Sequence, residues 1–196
     1  MSKKLVIGVG INDSETPVLR AQNGKAVWLC QFYLSWRRML ERCYSSEYLL
    51  KKPTYSGCSV APEWLTFSVF REWMQRHDWE GKHLDKDIIF PGNKVYSPET
   101  CVFVSPALNA FLNENGRSRG QWPLGVYWHK QLSKFTAQCS NPFTGKKEYL
   151  GMFICPNEAH EEWRKRKREH ANRYADMQTD ARIARGLRAR FEAGHA

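Results

Sequence analysis

Apolar residues change period several times along the chain, and each change marks an element. Leu5 to Ile11 is a short apolar run that predicts a strand, and a turn-rich stretch through Asn12, Asp13, Pro17, Asn23 and Gly24 follows it. Trp28, Phe32, Trp36, Met39, Leu40 and Cys43 then recur at helical spacing with Arg37, Arg38, Glu41 and Arg42 between them, which predicts an amphipathic helix over 28–44. The stretch 45–60 reads as a loop ending in a short strand near Val60, and Pro62 opens a second helix, 62–77, with Trp64, Phe67, Phe70, Trp73 and Met74 on one side. Leu84–Phe90 and Thr100–Val104 are strand candidates separated by turn residues, and the two should pair. Ser105 and Pro106 cap a short helix through Leu108, Phe111 and Leu112. Three further strands are expected at Gly125–His129, Lys134–Ser140 and Lys147–Phe153, with a helix starting after Pro156. The last twenty residues form either an amphipathic helix with Ile183, Leu187 and Phe191 on one side or a frayed basic tail.

This pattern divides the chain into a helical region with a strand–strand–helix unit at 84–113 (1–113 in all), a Gly- and Arg-rich linker at 114–122, a sheet-plus-helix domain at 123–177 and a basic segment at 178–196. The expected class is α+β. With 196 residues, one ordinary core or two small ones can be buried. No apolar run is long enough for a membrane span, and the start MSKKLVIGVGIND lacks the apolar core and cleavage site of a signal peptide, so a cytoplasmic protein without membrane contact is expected.

Charge narrows the partners. Thirty Lys and Arg against twenty Asp and Glu give a formal +10, which favours polyanions. The six cysteines include no C-x-x-C pair, so reduced, buried thiols are expected; spacing alone does not forbid a zinc knot of Cys43, Cys58, Cys101 and His83, but the paired spacing typical of zinc sites is absent.

Candidate chemistry concentrates in Leu84-Asp85-Lys86-Asp87, Asn93-Lys94, Tyr96 to Cys101 and Asn109. A strand carboxylate and a helix amide brought together by a strand–strand–helix fold offer oxygen ligands to one hard cation and leave room for water and phosphate. This stretch resembles the HNH (His-Me finger) nuclease motif of phage homing endonucleases. The resemblance implies Asp85 and Asn109 as ligands of Mg²⁺ or Mn²⁺, with Asn93 in the asparagine-rich turn. Lys86 stands where the family has its general-base histidine, and Thr100-Cys101 where it has asparagine before the second strand. A lysine beside two carboxylates keeps its proton and is a poor base, so Lys86 is assigned to the scissile phosphate and His83 or Asp87 to water activation. By strand alternation His83 shares a face with Asp85.

Residues 125–168 resemble the APETALA-type (ethylene-response-factor) DNA-binding domain through Gly125-Val126-Tyr127, Phe135-Thr136-Ala137, Tyr149 to Phe153 and Glu158-Ala159. A β-ribbon fits the major groove, so Tyr127, His129, Lys130, Lys134, Gln138 and Lys147 are the expected DNA contacts, with Arg164 and Arg166 from the basic run of the following helix. Trp122, Tyr127 and Trp128 either pack on sugars or belong to the core. Phage homing endonucleases often carry the two modules in this order. The combined expectation is a phage-encoded protein, acting in the infected bacterial cytoplasm, that nicks double-stranded DNA. The alternative is a catalytically degenerate relative that binds DNA as a regulator or inhibits a host nucleic-acid enzyme. RNA is the third candidate partner.

Overall fold

The computed structural model describes residues 5–113 and 121–192. The chain is mixed α and β and divides into two compact units, Met1–Ser105 and Pro106–Ala196. The division precedes the expected linker, most of which, 114–120, lies outside the described residues; the helix after Pro106 groups with the C-terminal unit.

The first unit is built on one helix. α1 (Gln31–Tyr44) buries Trp36, Met39, Leu40 and Cys43, the stripe its spacing predicts. Trp28 is not part of it. Leu19–Gln22 (β1) and Lys25–Leu29 (β2) form an antiparallel hairpin in which Trp28 pairs with Arg20. Asn23 and Gly24 both have positive φ, the backbone that a two-residue hairpin turn needs, and this extends the strand up to the helix. The expected strand over Leu5–Ile11 is absent. Ile7 and Gly8 take positive φ, folding the segment into a tight turn closed by Val6 and Gly10, while Val6, Ile7 and Val9 pack on the core.

The expected loop at 45–60 contains a short helix, α2 (Ser46–Lys51), capped by the Ser45 hydroxyl, which accepts the Tyr48 N–H at 3.3 Å. The helix expected over 62–77 is interrupted. Pro62–Leu65 is a 3₁₀ turn, Thr66 is extended and bridges Ile11, and α3 (Phe67–Gln75) follows. Asp13 caps α3 from a distance, its carboxylate accepting the backbone N–H and hydroxyl of Ser68.

Ser59–Val60 (β3) pairs in parallel with Val95–Tyr96 (β5), a pairing the sequence pattern did not predict. His83–Asp85 (β4) pairs antiparallel with Val102–Val104 (β6), as expected, but β4 is far shorter than Leu84–Phe90. Its end is fixed by Asp85, whose Oδ1 accepts the N–H groups of Asp87 (3.0 Å) and Ile88 (2.8 Å) and turns the chain.

In the second unit, α4 (Pro106–Leu112) buries Leu108, Phe111 and Leu112. Val126–His129 (β7), Lys134–Ser140 (β8) and Lys147–Phe153 (β9) form an antiparallel sheet in chain order, at the expected positions. α5 (Pro156–Asp176) packs on one side of the sheet, and α6 (Ala181–Phe191) packs on α5 through buried Ile183 and Leu187. Within the basic segment, Ala181–Phe191 is therefore a helix. Among the described residues no helix is long and apolar enough to cross a membrane.

Candidate nucleic-acid interface and β4 turn

Strand register sorts the second unit's sheet into two faces. Val126, Phe135 and Ala137 are buried with Ala159 of α5, so they define the helix-facing side. Cys139 and Glu148, paired across β8 and β9, lie on that side too: Glu148 Oε2 meets His170 Nε2 of α5 at 3.0 Å. Alternate positions face the other way. Tyr127 and His129 of β7, Lys134, Thr136 and Gln138 of β8, and Lys147 and Tyr149 of β9 therefore share the face opposite α5. A β-bulge at Leu150 keeps Tyr149 in phase with Gln138 despite the extra residue on β9.

This face is open to solvent and carries long side chains. Tyr127 and Tyr149 are 51% and 61% exposed, and Lys134 and Lys147 are exposed. Lys147 Nζ lies 5.8 Å from the Tyr127 ring centroid, a cation beside an aromatic plane. At the centre of the face Thr136 is buried, and its hydroxyl has no hydrogen-bond partner among the described residues; the same holds for His129 Nδ1. Polar atoms of this kind are normally satisfied.

Five of the predicted contacts, Tyr127, His129, Lys134, Gln138 and Lys147, thus come together. Lys130 is exposed in the β7–β8 turn beside them. Arg164 and Arg166 do not join the set, because they sit on α5. Arg166 pairs with Glu148 and Glu169, and Arg164 with Glu161. Helical spacing of the basic run and acids one turn away explain the difference. Tyr149 was missed, although its alternation with Lys147 was visible. Trp122 and Trp128 pack on Phe135, with ring centroids 4.7 and 4.8 Å away.

In the first unit the β4 turn is held by its own polar groups. Lys86 is buried, and its Nζ donates to Asp87 Oδ2 (3.0 Å) and to the Asn93 carbonyl (2.6 Å). Asn93 Nδ2 donates in return to the Lys86 and Val95 carbonyls. Lys86 is therefore an internal staple of the 86–95 loop, and it engages the carboxylate of Asp87. His83 is exposed, and Leu84 between His83 and Asp85 packs on the core, so the two polar residues flank it on the other side of the strand. Asn109 lies on α4 in the second unit, where Asn113 Nδ2 donates to its carbonyl and its Oδ1.

Among the described residues no three His, Cys, Asp or Glu side chains converge as a metal site, so Cys43, Cys58, Cys101 and His83 are not brought together as one. Burial, with Cys58 beside it, pushes the Cys43 thiol up to about 12, and burial does the same to Cys101. For Mg²⁺ or Mn²⁺ the carboxylate that β4 would offer is Asp85, one oxygen of which already binds two amides. Such a donor fits an ion that keeps several waters and takes phosphate oxygens, not an all-protein cage.

No protein-family model, curated protein or solved structure matches this chain.

Proposed function

We propose that the protein is a DNA-binding protein of the HNH homing-endonuclease lineage, which holds double-stranded DNA on the open face of the β7–β8–β9 sheet and nicks it in a metal-dependent reaction at the β4 turn. The observation that carries this reading is the assembly of Tyr127, His129, Lys134, Gln138 and Lys147 on one solvent-facing sheet surface with α5 on the other. A twisted antiparallel sheet enters the major groove, and lysines at its margins neutralise phosphates on both sides. The formal charge of +10 strengthens the attraction.

For cleavage, His83 is the residue suited to accept a proton from water, being the exposed imidazole two residues before Asp85. Asp85 would hold the divalent ion, which when bound supplies Lewis-acid stabilisation of the phosphate charge. A second reading, a binder that does not cut, is favoured by one observation: Lys86, where the family places its base, is buried and tied to Asp87 and Asn93.

Nicking of supercoiled plasmid in Mg²⁺ or Mn²⁺ near physiological salt separates the two. Wild type is expected to nick, and Asp85→Ala and His83→Ala to lose activity while still retarding duplex DNA. Retardation without nicking by any of the three proteins would sink cleavage and leave the binder.

A further inference from the structure

A cleft of about 570 Å³ opens in the first unit beside α1 and β4, a size typical of small-molecule sites. Its lining is mostly polar and cationic: Arg38 and Arg42 come from α1, Lys82 and His83 from the start of β4, and Trp79 and Tyr48 supply aromatic walls. Two of these charges are already answered. Lys82 pairs with Asp78, and Glu41, the carboxylate in the lining, pairs with Arg37 at 2.9 Å.

The two arginines are different. Among the described residues no carboxylate lies within ion-pair distance of Arg38 or Arg42. Arg38 is exposed at the rim. Arg42 is partly buried among Tyr48, Tyr55 and Tyr96; it hydrogen-bonds the Tyr96 side chain, a neutral partner, and its guanidinium carbon lies 5.8 Å from the Tyr55 ring centroid. A guanidinium withdrawn from water is ordinarily matched by an anion, and its planar fork suits phosphate oxygens. Trp79, packed at 4.8 Å on Phe32, presents a partly exposed indole to the same space. Two guanidinium groups and an indole thus line one cavity, which suits a phosphate ester with a sugar or base beside it.

We propose that this cleft binds the phosphate ester of a nucleotide, with Arg42 and Arg38 as donors to the phosphate and Trp79 as the wall for sugar or base. The phosphate comes either from a DNA strand or from a free nucleotide. The strand as source rests on the DNA-binding reading above; the anion site itself does not.

Calorimetric titration of the full chain with deoxyadenosine monophosphate, deoxyadenosine and a twelve-nucleotide single strand tests this. Circular dichroism checks that each variant is folded. The monophosphate is expected to bind and the nucleoside not to bind, and Arg38→Ala is expected to weaken the monophosphate about tenfold. Arg42→Lys keeps the charge but loses the fork, and should weaken it further. Lys147→Ala, on the sheet, leaves monophosphate binding unchanged even where it reduces duplex binding, so failure of the cleft and failure of the sheet are separable. A response of the oligonucleotide alone to Arg38→Ala identifies the strand as source and supports the site. Equal binding of nucleoside and monophosphate, or affinities for both phosphate ligands that ignore Arg38→Ala and Arg42→Lys, would overturn it.

Discussion

Gly125 and Trp163 fit together only because Gly125 has no side chain: a methyl group there would lie 2.0 Å from Trp163 Cδ1. Gly125 also has φ +75°, so an alanine is disfavoured by backbone and by packing alike. The contact fixes how closely α5 approaches the start of β7. Gly125→Ala is expected to destabilise the second unit by about 2–4 kcal/mol. Amide hydrogen exchange of β7–β9 reads this directly, and unchanged protection would refute it.

Sheet binding makes a salt-dependent prediction. Lys147→Ala should weaken duplex binding and lower the slope of log K against log salt by about one. Lys165→Ala, an exposed change on α5, should leave both as they were. Fluorescence anisotropy at several salt concentrations distinguishes them; equal losses would show that charge counts and the face does not.

The sheet strands and their outward residues were legible in the sequence because period-two alternation is a local property, and turns at Gln131–Ser133 and Asn141–Gly145 bounded each strand. The same was true of the α1 stripe. What was not legible depended on partners distant in sequence or on single backbone angles. The parallel pairing of Ser59–Val60 with Val95–Tyr96 joins segments with no local signal between them. The turn at Ile7 needs a β-branched residue at positive φ, which no propensity favours. Burial of Lys86 runs against its usual exposure and follows from a carbonyl seven residues on.

Lys86 should therefore matter for folding more than for chemistry. Lys86→Ala leaves the Asn93 carbonyl without its charged donor and is expected to cost the first unit about 2–3 kcal/mol. Urea denaturation followed by tryptophan fluorescence measures this; a variant of wild-type stability would contradict the staple.

Acid should weaken the second unit. Burial raises the Glu148 carboxyl, but hydrogen bonds from Asn141 and His170 and the nearby His170 and Arg166 outweigh it and hold it below its ordinary 4.5. The stabilisation is present above about 4.5 and is lost as pH falls through the depressed folded value. Urea midpoints between pH 3 and 7 should fall at the acid end for wild type and less steeply for Glu148→Gln; parallel curves would exclude Glu148 as the cause.

Thiol reactivity should follow burial. Cys30 and Cys155, partly exposed, are expected to react with iodoacetamide at pH 8, and Cys43, Cys58, Cys101 and Cys139 only after unfolding. Peptide mapping of the alkylated protein tells them apart, and rapid native labelling of Cys43 or Cys101 would contradict their raised thiols.

The β1–β2 hairpin is exposed along almost its whole length, and Val18 and Cys30, joined by a 2.9 Å backbone hydrogen bond, anchor its base beside the core. The Asn23–Gly24 tip can therefore be opened without disturbing what lies beneath. An epitope or a fluorophore-bearing loop spliced in there would lengthen only a solvent turn, at an entropic cost that grows slowly with its length. That gives the first unit a reporter in a solvent-exposed turn whose two residues line neither the cleft nor the β4 turn.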